Sequence, residues 1–459
     1  MNLRSSPWLP ATLLLLVVLV GGPLHLRMAT WPDADIFDMM ARTVFRGGVA
    51  YRDLATNSMP GMMWAQMPVR VLLGWSMIAL RAVDLVVFGL IVLLLSAWPE
   101  DGNPARRLWR AIPLVLSYFA MSEYVHCQRD VWMLLPVAAA IHVHGWSPAT
   151  WRAELGRGLL AGMLWGAAVW IKPHAIVPAI AVWTCASLGR SWSRIVIDAA
   201  GTLLGGLAIG AAGVAWLVGT GAWPAFAEYV FVWNREYLEH WQAGPIYRLG
   251  VLAEKLFPWN VVHLAAIPLS VWAIVRPPAP TLRLLAAAYL GWLLQAAGFQ
   301  AFYDYNYYVP VLLGWAVVLR WADFRGLVRG AAIGGVLALL VVHPMFRPAR
   351  ISAWPSCWLP GRDAELRDRL SLYPVADWVA LEAVEEFLHA QEAKDGEVLS
   401  FDWRTSRIYL DLDLEPPNPQ MTPFNVALQW PSRYFALQDE LARTKQKFVV
   451  VDIQVPQVP

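Results

Sequence analysis

Four short stretches of this chain carry side chains whose types and spacing could do chemistry. Asp33-Ala-Asp-Ile-Phe-Asp38 places three carboxylates within six residues. A carboxylate within hydrogen-bond reach of a hydroxyl can take its proton and turn a poor nucleophile into a useful one. It can also stabilise the positive charge that builds on a sugar ring as the anomeric C–O bond breaks. Glu123-Tyr-Val-His-Cys-Gln-Arg129-Asp130 brings a guanidinium, whose planar fork matches phosphate oxygens, next to an acid able to orient it or an acceptor. Lys172 interrupts a long apolar stretch, and Pro173 ends its helix so that the ammonium can meet polar partners or a phosphate. Phe302-Tyr-Asp304-Tyr-Asn-Tyr-Tyr308-Val-Pro310 packs four tyrosines around Asp304 and Asn306. In it Tyr303, Tyr307 and Tyr308 are candidate donors to a phosphate or a sugar, and Asp304 is a candidate positioning acid.

Each stretch also has a plainer reading. The first acids suit the start of a helix, where the macrodipole favours negative charge. Arg129 and Asp130 could satisfy each other. Lys172 could snorkel to the headgroups, and the tyrosines could form an interfacial aromatic belt.

The elements that must hold these residues are membrane helices. Of the 459 residues, 58% are hydrophobic and only 15% charged, too little charge for a soluble chain of this size. Apolar runs of about 17–25 residues recur without alternation, which is the mark of spanning helices. About eleven spans follow by apolar length, near 8–26, 76–98, 109–125, 131–146, 158–171, 174–189, 195–218, 259–275, 283–300, 308–320 and 329–346. The first follows a basic start, Met1–Arg4, and is read as a retained span instead of a cleaved signal. Arginines in alternate short loops, among them Arg106, Arg107, Arg152, Arg157, Arg190, Arg194, Arg276, Arg320 and Arg325, mark one side as cytoplasmic. The N-terminus then lies in the cytoplasm.

Three polar segments consequently face outward. They are a first loop (27–75), a large loop rich in Trp and Tyr (223–259), and a tail (347–459) of ordinary soluble composition. The tail shows a helical pattern over Val375–Ala393 and strand-like runs at Glu397–Phe401 and Phe448–Ile453, which together predict a small α/β domain. In the first loop, Met39, Met40, Thr43, Val44 and Val49 give an amphipathic helix closed by Gly47-Gly48, able to lie on the bilayer and hold the preceding acids at headgroup depth. The net charge is only +2 and the basic residues are scattered, so no nucleic-acid footprint is present. The three cysteines, Cys127, Cys185 and Cys357, form neither a metal-ligand spacing nor a disulfide framework.

The first loop resembles the first extracytoplasmic loop of the GT-C superfamily of membrane glycosyltransferases, which includes protein O-mannosyltransferases and lipid A aminoarabinose transferases. Many bacterial members carry an Asp-Glu pair, then Gly-x-x-x-Tyr-Arg-Asp, then Lys-Pro-Pro-Gly. Asp33, Gly47, Tyr51-Arg52-Asp53 and Pro60-Gly61 fall in that order. The expected Glu is Ala34, with Asp35 one place later, and the expected Lys-Pro is Ser58-Met59. A Gly-rich helix before Lys-Pro (Gly158, Gly162, Gly166, then Lys172-Pro173) and a Tyr-rich turn before Val-Pro also match family features.

The resemblance implies a mainly α fold: a polytopic transmembrane helix bundle over residues 1–346 bearing the catalytic domain, followed by the extracytoplasmic α/β domain at 347–459. It implies an inverting glycosyltransferase in a bacterial inner membrane. Such an enzyme moves a sugar from a polyprenyl-phosphate donor to an extracytoplasmic glycan, lipid or protein acceptor. Asp33 maps to the catalytic base, and Asp35 could share that role. Lys172, Arg129, Tyr303, Tyr307 and Tyr308 are expected at the donor phosphate; Tyr51, Asp130 and Asp304 are expected to position substrate. No metal or other cofactor is required, although Asp33 and Asp35 could hold a divalent cation. The rival classes are a transporter or flippase of lipid-linked glycans and an O-antigen-ligase-like protein. A transporter calls for charges along a midplane path and often for internal repeats, which this sequence lacks. A ligase calls for basic residues in a late outer loop.

Overall fold

The structure is a computed structural model and describes residues 7–98, 102–322, 326–359, 363–373 and 376–452. Met1–Arg4, Arg325, Val375 and Ile453, on which parts of the sequence reading fall, lie outside the described residues.

The chain is mainly helical. In order it runs α1 (Trp8–Arg27), α2 (Pro32–Phe45), α3 (Gly61–Leu73), α4 (Met77–Ser96), α5 (Pro104–Phe119), α6 (Arg129–His144), α7 (Trp151–Ile171) and α8 (Ile176–Ser187). There follow α9 (Trp192–Gly219), α10 (Trp223–Ala227), α11 (Asn234–His240), α12 (Pro245–Glu254), α13 (His263–Val275), α14 (Pro280–Phe299), α15 (Asp304–Ala322) and α16 (Gly326–Val342). Each apolar run read from the sequence overlaps one of these helices. Among the described residues four, α1, α4, α9 and α14, are long and apolar enough to cross a membrane. The pair α12 and Trp259–Val275, bent by 111°, would make a fifth if it is one span. With these helices the chain is an integral membrane protein.

By its contacts the chain divides into two compact units: residues 1–26, 81–213 and 243–358 form one, and 27–80, 214–242 and 359–459 the other. In the first, every residue of α15 is buried. Around it the apolar core draws on α4 to α8, α13, α14 and α16, with Trp259, Trp292, Tyr289 and Leu313 fully enclosed. Helices α7 and α9 approach closely because glycines face each other. A Cβ on Gly162 would press into the Thr202 carbonyl, and one on Gly205 into the Leu159 carbonyl.

The second unit gathers the first polar segment with the larger parts of the other two, residues 223–242 of the large loop and 359–459 of the tail. Helix α2 starts with Pro32 and has Asp33 and Asp35 in its first turn. It ends at Arg46, and Gly47 follows with a φ of +84°, a conformation that costs glycine little. In the tail, β1 (Val398–Ser400) pairs in parallel with β2 (Phe448–Val450), in the register Val398 to Phe448. Helix Trp378–Ala390 lies in the same unit, and its Phe387 ring meets Phe448 edge-on at 6.0 Å. Trp233 of the large loop joins Val426, Trp430 and Leu437 of the tail in a small apolar cluster, and Trp430 Nε1 donates to the Trp233 carbonyl at 2.9 Å.

Candidate functional site

Two clusters of polar side chains stand out, one in each unit. In the membrane unit the centre is Lys172. Helix α7 stops at Ile171 because Lys172 turns to an extended backbone (φ −155°, ψ 121°) and Pro173 cannot continue the α-helical bonding. The Lys172 side chain is only 8% exposed. Its Nζ donates to both Asp130 oxygens, at 2.9 and 3.0 Å, to Asn306 Oδ1 at 2.6 Å, and to Gln300 Oε1. The Tyr305 ring lies 5.6 Å away. Asp130 comes from the first turn of α6, Asn306 from the first turn of α15, and Gln300 from just beyond α14. Breaks and ends of four helices thus surround one ammonium, where charge can be held without a lipid-facing cost.

The surroundings are partly fixed by backbone. Asn306 Nδ2 donates to the Ala301 carbonyl at 2.7 Å, which leaves its oxygen for Lys172. Arg248 Nη1 holds the Gln300 carbonyl at 3.0 Å. Asp304 is paired with Lys255 at 2.8 Å. Tyr303 stacks on Tyr305 at 5.5 Å, and Tyr124 meets both rings edge-on. Arg129 is half-buried beside Asp130.

The structure therefore brings Lys172 and Asp130 into direct contact and sets Tyr303 nearby through Tyr305. Tyr308 is fully buried and its hydroxyl lies 3.1 Å from Ser117 Oγ, away from Lys172's partners. The Tyr307 hydroxyl is buried and has no hydrogen-bond partner among the described residues.

The second cluster forms around α2. Asp33 is half-buried, whereas Asp35 is 1% exposed. Asp35 Oδ1 accepts from Thr30 Oγ1 at 2.8 Å and from Arg407 Nη1 at 3.0 Å. Burial pushes the Asp35 carboxyl up to about 6, against the opposing pull of Arg407. Burial likewise raises Asp38, one turn on, against Arg70, which binds both of its oxygens. Burial pulls Arg407 down, but Asp35 and Asp411 more than offset it, so the guanidinium stays above its ordinary value. Tyr51 is fully buried at a φ of +67°, and its hydroxyl donates to the Ser58 carbonyl at 2.8 Å. In this position it braces the turn after α2. Among the described residues no group of three or more His, Cys, Asp or Glu side chains is placed to hold a metal ion. The three cysteines are free thiols.

Sequence reasoning did not single out Gln300, Lys255, Thr30 or Arg407. Arg81 and Asp84, three residues apart on one helix face, read from the sequence as an intrahelical pair; in the structure Asp84 sits in a buried network, accepting from Trp132 Nε1 at 2.7 Å and Tyr118 at 2.5 Å, with His25 Nε2 at 3.2 Å. A signal existed for this network, since His25, Asp84 and His126 are polar residues in or beside apolar runs. Arg407 offered none.

No family model and no curated protein matches the sequence significantly. Two solved structures do match the fold over nearly its whole length. ArnT from Cupriavidus metallidurans in the apo state superposes with a TM-score of 0.54 at 15% identity, covering 96% of this chain and 91% of that one. ArnT from the same organism bound to undecaprenyl phosphate gives a TM-score of 0.50 at 13% identity, covering 93% and 88%. At such identities the likeness shows fold. The chain has an ArnT-like fold.

Proposed function

We propose that this chain is an inverting glycosyltransferase that moves a sugar from a polyprenyl-phosphate carrier to an extracytoplasmic glycan, lipid or protein. What carries the reading is the built cation site at the break after α7, in a chain with the fold of a protein known in complex with undecaprenyl phosphate. Lys172 has more oxygen acceptors around it than protons to give. A phosphate oxygen can take the place of Gln300 or Asn306 while Asp130 keeps the ammonium charged. Arg129, half-buried next door, supplies a second positive charge for the leaving phosphate. Asp33 acts as the base that takes the acceptor proton; it is half-buried, whereas Asp35 is fully buried. Tyr303 lines the donor side and Asp304 holds its turn through Lys255. Catalysis then rests on positioning and electrostatics, with no metal or cofactor called for. The chain would sit in a bacterial inner membrane with its N-terminus cytoplasmic and its tail outside.

The test is mass spectrometry of lipid-linked sugars and envelope glycans after deletion, followed by complementation with Asp33→Asn, Asp35→Asn and Lys172→Ala. The expected result is build-up of one lipid-linked sugar and loss of one glycan modification, restored by the wild-type chain. Each variant should insert normally and fail to restore it. Unchanged glycan profiles in the deletion and in all three variants would overturn the proposal.

A further inference from the structure

Helix α2, which carries the first-loop acids, is gripped by the tail at both ends. At its far end Arg42 donates to the Tyr409 carbonyl at 2.7 Å and to the Leu414 carbonyl. Arg46 pairs there with Asp413 at 2.6 Å and Glu415 at 2.7 Å. These acids are open to water, the Asp413 side chain being 75% exposed, so the ion pairs add little beyond docking. The grip at the near end is of another kind. Arg407, 372 positions along the chain from Asp35, is 4% exposed. One arm of its guanidinium reaches Asp35 Oδ1 at 3.0 Å, and the other two nitrogens reach Asp411 Oδ1 at 2.8 and 2.7 Å. Thr30 Oγ1 donates to the same Asp35 oxygen. A helix needs no buried guanidinium to be docked. A buried arginine is costly unless its charge is used, and here it faces the first turn that holds Asp33 and Asp35.

We propose that Arg407 is a positioning residue for the transfer reaction: it fixes Asp35, and with it the first turn bearing Asp33, and keeps the Asp35 carboxyl ionised. This rests on the glycosyltransferase reading. The groups facing Asp35 are Arg407 from the tail, Thr30 before the helix, and Asp38 on the helix itself, the last paired with Arg70 of α3; Asp411 and Glu385 of the tail act on Arg407. Arg407 is the cation bonded to Asp35 itself. Without it the carboxyl is buried beside other acids and takes up a proton at higher pH. A segment whose composition reads as an ordinary soluble domain thereby supplies a part of the reacting loop.

The experiment uses the full-length protein in detergent, undecaprenyl-phosphate-linked hexose and pentose donors, and membranes from a deletion strain as acceptor. Arg407→Met should lower kcat by about 10²-fold with a small change in KM. It should also move the acid limb of the pH profile upward by about one unit. Arg407→Lys, which keeps the charge without the fork, should recover part of the rate and most of the limb. Arg46→Ala, which cuts the exposed grip at the other end, should leave both in place. An acid limb that stays put in Arg407→Met, or an equal rate loss in Arg46→Ala, overturns the proposal.

A second arm does not depend on transfer. The destabilisation caused by Arg407→Met, read as a melting shift, should grow between pH 5 and pH 8, because the unpaired carboxyl is tolerated only while protonated. That growth should shrink in Arg407→Met/Asp35→Asn, the remainder belonging to Glu385 and Asp38, whose carboxyls Arg407 also pulls down. If it is as large in the double variant as in Arg407→Met alone, Asp35 is not the group Arg407 serves. If no donor is transferred by the wild type while the melting arm holds, the functional reading fails and the Arg407–Asp35 link survives it.

Discussion

Replacing Lys172 by methionine tests the membrane cluster most directly, because it removes the charge at nearly constant volume. The ammonium has two bonds to Asp130, at 2.9 and 3.0 Å, and two to amide oxygens, with the Asp130 side chain 0% exposed. Taking away one partner of such a pair strands the other charge, which costs about 3–5 kcal/mol. Asp130→Asn is milder: the ammonium keeps its amide oxygens and loses the charge assistance of one partner, about 1.5–3 kcal/mol. The double variant Lys172→Met/Asp130→Asn strands no charge. Its cost should fall short of the sum of the singles by about 2–3 kcal/mol. Reversible unfolding in mixed detergent micelles, followed by tryptophan fluorescence, gives all three values. If the two singles add to within about 0.5 kcal/mol, the groups do not interact in the folded protein. If Lys172→Met costs under about 1 kcal/mol, the lysine reaches water by snorkelling. Either outcome refutes the cluster as the structure draws it, and with it the account of how a buried cation is kept ready for phosphate.

Gly162→Val should separate α7 from α9, since the added Cβ meets the Thr202 backbone and cannot be relieved by a rotamer change; the expected loss is well above 1 kcal/mol, seen as a lowered melting temperature and poor yield. Asp84→Ala removes the acceptor shared by Trp132, Tyr118 and His25, leaving buried donors unpaired at about 1–3 kcal/mol each. A melting temperature within experimental error of wild type in detergent would show that this network does not hold α1 and α4 to the bundle.

What could be read from the sequence followed from how local each signal is. The break at Lys172 was legible because its cause, Pro173, is the next residue, and the end of α2 was legible because Gly47 directly follows its last turn. The identity of Lys172's partners was not. Asp130 lies 42 positions away, Gln300 128 and Asn306 134, and nothing in periodicity says which helix ends meet. Asp130 was read as a neighbour of Arg129, the obvious local choice, yet it serves the lysine. The tyrosine-rich turn shows the same limit. Its density marked it as unusual, but the residue before α15 and the helix's first turn set Tyr303 and Asn306 by the lysine's surroundings, while Tyr308 reaches Ser117. Arg407 had no local signal at all, since an arginine in a soluble-looking segment is unremarkable until its partner is known.

The span count is instructive for a related reason. Apolar runs suggest about eleven crossings, whereas among the described residues four or five helices meet a strict test of length and apolarity. Helices α5 and α6 have 16 residues each, about 24 Å at 1.5 Å per residue, short of a hydrocarbon core of ~30 Å. Helix α15 is longer, yet it carries Asp304, Asn306 and three tyrosines, and all of its residues are buried. A helix shielded on every side by other helices need not be apolar for the sake of lipid; it has only to satisfy its polar groups internally. Three of the four helices that pass the spanning test, α1, α4 and α9, are less than half buried over their most apolar stretch. Of the most apolar window of α9, only 17% is buried. The cation cluster draws its side chains from the start of α6, the break after α7, the residue beyond α14 and the start of α15. None comes from α1, α4 or α9. In this membrane unit the buried lysine and its acceptors lie on helix ends that lipid does not have to solvate. This is why the least lipid-like segments of the bundle are the ones where substitution should cost activity as well as stability.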